Sequence, residues 1–158
     1  MKNLNKEYST EKLIKKIVQL KKENICIGFT NGCFDLLHKG HIYSISEAKK
    51  KCDYLIVGLN SDISVIKLKG SNRPIDDQSN RILKLSKLDD VDAIIIFHDD
   101  NPLKIIKDIN PDILFKGADY EDKEIIGSEF IINNGGKVEL IDILNGYSTT
   151  NIIKNSSN

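Results

Sequence analysis

The chain has 158 residues, 40% hydrophobic and 29% charged, which suits one domain with enough apolar material to bury a core. Lysine plus arginine and aspartate plus glutamate both total 23, so no bulk charge argues for a nucleic-acid or membrane partner. No apolar run approaches the roughly twenty residues that span a bilayer; no signal-peptide core opens the chain. Three cysteines without paired spacing make no disulfide framework. A cytoplasmic protein is expected, with Cys26 and Cys52 as small core residues and Cys33 as a small loop residue.

Residues 1–23 read as an N-terminal helical segment. Ser9 or Thr10 can cap it, and Leu13, Ile14, Ile17, Val18 and Leu20 make an apolar stripe through Lys22. That stripe suits packing on the domain or on a partner subunit, so a homo-oligomer stays open. Ile25 to Phe29 then forms a buried strand, followed by Thr30 to His41, TNGCFDLLHKGH. A strand, a glycine-bearing turn and a helix start make a phosphate site, because the first helical N–H groups and the positive end of the dipole face the turn. Gly32 permits a tight turn, and Gly40 lets a ligand approach the backbone. His38 and His41, three apart, can face one pocket. Half of a zinc site is the competing reading, with Cys33 and Asp35 nearby. No HExxH or CxxC spacing supports it, and it leaves both glycines unexplained.

Ile42 to Lys51 continues as a helix, and CDYLIVGL is a continuous buried run of the kind parallel strands show. It ends in Asn60-Ser61-Asp62. Ligands gather outside the carboxyl ends of such strands, so Asn60 and Asp62 are site residues or loop caps. Val65 to Ile75 holds Lys67, Lys69, Gly70 and Arg73, and Arg73 and Arg81 are the only arginines. A planar guanidinium suits bidentate phosphate contact, so this stretch reads as a mobile basic lid over bound phosphates, with a solvated basic loop as the plain alternative.

Asp77 to Leu88 forms a helix carrying Arg81, and Ala93 to Phe97 a third strand followed by His98, a loop residue. Pro102 starts a helix over Leu103 to Ile109. Pro111 to Phe115 is the fourth strand, and Lys116, Gly117 and Asp119 follow it as a turn or as contacts to ribose and phosphate. Glu124 to Asn133 is helical, Asn134-Gly135-Gly136 ends it, and Lys137 to Ile141 is the fifth strand. Ser148, Thr149 and Thr150 suit a second phosphate-binding helix start, although capping alone explains one of them. Residues 155–158 are a polar, frayed tail. Strands alternating with helices predict an α/β parallel sheet with helices on both faces.

TNGCFDLLHKGH resembles the (T/N)GxFDxxHxGH signature of the HxGH-motif nucleotidyltransferase superfamily. Within it, LIVGLNSD, KLKGSNRPI, KGADY, EIIGSEFIINNGGKVELI and GYSTTNII resemble, in order, the adenylyltransferase subfamily that makes ADP-heptose for bacterial surface glycans, known free-standing or as the C-terminal half of a two-domain kinase–adenylyltransferase. The resemblance covers about residues 24–154. It implies a Rossmann-like, doubly wound sheet of five strands in the order 3-2-1-4-5, with the first turn at the switch point. It also implies ATP and a sugar 1-phosphate as reactants, a separate heptose kinase, and Mg²⁺ bridging the phosphates, with no protein side chain needed to ligate it.

Nucleotide contacts are implied along Thr30, Asn31, Gly32, Cys33, Phe34, Gly40 and His41, and at Asn60, Asp62, Lys116, Gly117, Asp119, Ser148, Thr149 and Thr150. His38 and His41 would donate to α- and β-phosphate oxygens. Lys67, Lys69, Arg73 and Arg81 would offset repulsion between two polyanions, and Asp35 would fix the loop. A phosphate nucleophile is already ionised, so orientation and charge neutralisation replace a general base. A cytidylyltransferase acting on glycerol 3-phosphate or a similar polyol phosphate is the alternative within the enzyme class. Those relatives usually read GTFD and R-T-x-G-I-S-T-T where this chain reads GCFD and DILNGYSTT. A non-catalytic nucleotide sensor is the alternative outside it.

Overall fold

The computed structural model describes residues 5–118 and 124–142. Its elements run β1 (Glu7–Tyr8), α1 (Thr10–Lys22), β2 (Ile27–Gly32), α2 (Lys39–Lys49), β3 (Tyr54–Asn60), α3 (Asp62–Lys69), α4 (Gln78–Ser86), β4 (Ala93–Phe97), α5 (Leu103–Ile109), β5 (Ile113–Gly117), α6 (Ser128–Asn133) and β6 (Lys137–Ile141). The strands form one sheet in the order β1-β4-β3-β2-β5-β6, every neighbouring pair parallel. The five expected strands take the expected order. No helix among the described residues is long and apolar enough to cross a membrane.

The continuous apolar runs resolve into two faces because successive strand side chains point opposite ways. Leu55, Val57 and Leu59 of β3 face one layer with Ile45 and Ala48 of α2 and Leu85 of α4. Ile56 faces the other, with Leu13, Ile17 and Leu20 of α1, Ile105, Ile106 and Ile109 of α5 and Ile131 of α6. Helix starts are fixed by ordinary caps: Ser9 accepts from the Lys12 amide, Ser61 from Ser64 and Asp77 from Asn80. At the amino ends of the strands, Asp112 accepts from the Ile27 amide at 2.8 Å and Asp92 from the Leu55 amide at 2.8 Å, each joining neighbouring strands where the ladder begins.

Two expectations need correction. The sheet has six strands: Glu7 and Tyr8 pair with Ile94 and Ile95, and the Ile94 amide donates to the Lys6 carbonyl at 2.8 Å. Two residues are too few to display alternation, and this edge exists only because β4 offers free ladder positions. The basic stretch, read as a loop, is helical as far as Lys69. In α3 only Ser64 and Val65 are buried, while Ile63, Ile66 and Leu68 are exposed, so no apolar stripe announces the helix. Gly70, at φ 97°, ends it.

Gly58 lies in mid-β3 where a Cβ would stand 2.6 Å from the Phe29 ring. Gly58→Ala should overpack this contact and cost about 1–3 kcal/mol. At about 2–4 °C per kcal/mol for a chain of this size, a thermal melt should reveal it. A Tm equal to wild type would mean that Phe29 can move aside.

Candidate active site

The carboxyl ends of β2, β3 and β5 open onto a cavity of about 510 Å³. Thr30, Asn31 and Gly32 of β2 and Cys33 and Phe34 beyond it make one wall, and Lys116 and Gly117 of β5 another. Asn60, at the end of β3, is buried on this wall and donates to Ser64 Oγ at 2.9 Å. The Lys116 ammonium donates to Asn31 Oδ1 across the strand ends.

The turn after β2 is unusual in its backbone. Phe34 and Leu36 have φ of 48° and 53°, a left-handed region that costs a non-glycine residue of order 1 kcal/mol or more. Two side chains hold it. Asp35 is 1% exposed and accepts from Arg73 Nε at 2.7 Å and from the amides of Ile75 and Asp76 at 2.9 Å. Burial alone would raise this carboxyl's pKa; the Asp76 and Ile75 amides and the Arg73 guanidinium outweigh that and hold it below the ordinary value. Arg81 is the second clamp. It donates from Nη1 to the carbonyls of Cys33 and Asn60, both at 2.7 Å, from Nη2 to Asp62 at 2.7 Å and from Nε to the Asp76 carbonyl at 3.1 Å.

The histidines begin α2. His38 is its N-cap, with Nδ1 accepting from the Gly40 amide at 3.1 Å, and His41 Nδ1 accepts from the His38 amide at 3.3 Å. In both rings the neutral form therefore carries its proton on Nε2. The rings stack at 3.8 Å, and Phe34 meets His41 edge-on at 5.3 Å. Burial, then the charges of His38 and Lys69, push the His41 pKa down to about 4, and burial lowers His38 as well. Neutral N–H donors at a helix N-terminus are what this arrangement supplies at pH 7.

The expected cations separate. Lys69 and Arg73 line the cavity, and Arg73 Nη2 is enclosed without an acceptor among the described residues. Lys67 stands on the exposed side of α3, 3.9 Å from Asp100. Arg81, expected to face phosphate, is instead fully enclosed, its side chain 0% exposed and shared among four protein acceptors. Nor is the whole of 65–75 a free lid: α3 is formed, and Arg73 is tied to Asp35. His41 lines the cavity, whereas His38 stacks against it from the cap, Gly40 is buried in the first turn and Asp62 pairs with Arg81. Asp119, Ser148, Thr149 and Thr150 lie outside the described residues.

The sequence reading missed Asp100, Asn101 and Pro102 after β4, and Leu68, Glu124 and Ile126, all on the cavity wall. The signal was available for the first three, since β4 ends at the same crevice as β3. Among the described residues no three His, Cys, Asp or Glu side chains group to hold a metal ion. Burial pushes the Cys33 pKa up against the lowering charges of Lys69, Arg81 and Arg73, so Cys33 remains a thiol.

Residues 29–155 match the family model described as cytidylyltransferase-like. The chain belongs to that family. Family relatives include the "bifunctional protein HldE" of Nitrobacter hamburgensis, 46% identical over 92% of this chain and 30% of that protein. The protein of the same name from Caulobacter vibrioides is 51% identical over 80% of this chain and 26% of its own length. The chain thus spans less than a third of these relatives. Among solved structures, a lipopolysaccharide core biosynthesis protein from Thermoplasma volcanium is similar, with a TM-score of 0.60 and 31% identity over 76% of this chain and 97% of that one.

The His41 pKa makes stability depend on pH. The unfolded imidazole, near 6.5, takes up its proton before the folded one, near 4. The resulting stability is fully present above pH 6.5 and is lost as pH falls through 4. Urea midpoints measured from pH 7 to 4 should fall less steeply in His41→Gln than in wild type; parallel slopes would place His41 in water.

Proposed function

We propose that this protein transfers AMP from ATP to D-glycero-D-manno-heptose 1-phosphate, giving ADP-heptose and pyrophosphate for bacterial lipopolysaccharide. The observation that carries the chemistry is the convergence of His41, Lys69 and Arg73 on one cavity at the positive end of α2. The sugar assignment rests on the ordered motifs and on the similarity to proteins named HldE. Such a reaction belongs in the cytoplasm, downstream of a separate kinase that phosphorylates the heptose at C1.

In this reading a sugar-phosphate oxygen attacks the α-phosphorus in line and pyrophosphate departs. His41 Nε2–H donates to a phosphate oxygen without adding a third mobile cation, and the His38 ring holds His41 by stacking. Lys69 and the enclosed Nη2 of Arg73 neutralise charge as the two anions are brought together. Both oxygens of Asp35 already accept N–H bonds and Asp62 is paired with Arg81, so neither is disposed to ligate a metal. Mg²⁺ carried by the triphosphate and water fits that donor set and supplies further charge neutralisation. Asp119, Ser148, Thr149 and Thr150 are proposed as nucleotide contacts on the motif resemblance alone.

Pyrophosphate release, screened over four nucleoside triphosphates and a panel of sugar and polyol phosphates, tests the assignment. ATP with the heptose 1-phosphate should lead. Preference for CTP with glycerol 3-phosphate would overturn the substrate, and no release from any pair would favour the sensor.

His41→Ala should lower kcat about a hundredfold, the scale of one preorganised donor to a transition-state oxyanion. A folded His41→Ala protein with wild-type kcat would remove His41 from the mechanism.

A further inference from the structure

We propose that Arg81 is a positioning residue that aims the Phe34 amide at the reacting phosphates; this rests on the nucleotidyl-transfer reading above. Arg81 projects from α4, outside the motif that carries the histidines, and its guanidinium is sealed from solvent. Its four acceptors come from four segments around the cavity: the Cys33 carbonyl after β2, the Asn60 carbonyl ending β3, the Asp62 carboxylate opening α3 and the Asp76 carbonyl before α4. A cation so enclosed cannot meet a ligand itself. What it controls is a peptide plane.

A trans peptide unit is flat, with its C=O and the next N–H on opposite edges. Drawing the Cys33 carbonyl to 2.7 Å from Arg81 Nη1 turns the Phe34 N–H away from Arg81. Cys33 and Phe34 both line the cavity, and that N–H has no acceptor among the described residues. The left-handed φ of 48° at Phe34 shows that the plane is held against local preference. A backbone donor fixed this way needs no reorganisation when charge develops on phosphate oxygen. Lysine cannot substitute, because one ammonium cannot reach four acceptors in a planar fork.

The test uses the full chain labelled with ¹⁵N-phenylalanine, which gives five amide signals; the Phe34 signal is assigned by its loss in Phe34→Leu. Titrating inorganic pyrophosphate should move the wild-type Phe34 proton downfield. In Arg81→Lys that shift should shrink by at least half and kcat should fall about a hundredfold, with KM for ATP changed by less than about threefold. Leu85→Ala, a buried change on the same helix, should lower Tm yet keep kcat within about twofold, which separates positioning from lost stability. If Arg81→Lys does not fold, Asp62→Ala, which removes one of the four acceptors, should still reduce the shift. An unresponsive Phe34 in wild type, a full shift in the folded variants, or a raised KM at unchanged kcat would overturn the proposal. A responsive Phe34 in a protein that transfers to no acceptor would overturn the reaction and leave the positioning role standing.

Discussion

A guanidinium shut away from water must find its hydrogen bonds inside the protein, and losing one partner would leave a buried charge uncompensated. Arg81 meets that requirement with acceptors drawn from the turn after β2, the end of β3, the start of α3 and the segment before α4. Asn60 and Asp62 flank the β3–α3 junction, whereas Cys33 and Asp76 come from stretches well removed from it in sequence. Packing on either face of the sheet fixes the elements, yet it does not fix the turns between them. The constraint on the turns is electrostatic, and Asp35 repeats it in the opposite sign by gathering Arg73 and the amides of Ile75 and Asp76. Together the two clamps explain how the turn after β2 persists with Phe34 and Leu36 both in the left-handed region.

The clamped turn delivers neutral donors rather than extra charge. A protonated His41 would stand beside His38, Lys69 and the end of a helix dipole, all of which oppose its charge. Its Nδ1 is occupied by the His38 amide, so only the Nε2 edge faces outward chemistry. Positive charge comes instead from Lys69 and Arg73, at the end of α3 and beyond Gly70. The division suits a reaction between two anions, in which attraction must be strong while the directional donors stay uncharged and fixed.

The fold was legible because each central strand is an apolar run and α1, α2 and α5 each carry an apolar stripe. β1 was not, being a two-residue edge whose existence depends on β4. α3 was not, because its one buried aliphatic residue, Val65, gives no period. In the site, the glycine turn and the place of both histidines at the start of α2 were readable from spacing, but of the two only His41 lines the cavity. Arg81 stands out in the sequence as one of two arginines, but nothing in the sequence shows that it turns inward to protein acceptors. An arginine suited to phosphate is equally suited to backbone carbonyls, and only burial distinguishes the two uses. Asp100 and Asn101 escaped notice because they follow a strand as ordinary polar loop residues.

In the proposed reaction one bound anion attacks another without a covalent nucleotidyl-enzyme, and two cavity side chains are consistent with that course. His41 presents a protonated Nε2, and Cys33 is a thiol rather than a thiolate. The stereochemical course at the α-phosphorus tests this most directly, using one diastereomer of ATP carrying sulfur at that position and assigning the configuration of the product. A single in-line displacement gives inversion. Retention, the mark of two successive displacements through an enzyme-bound nucleotide, would contradict the account.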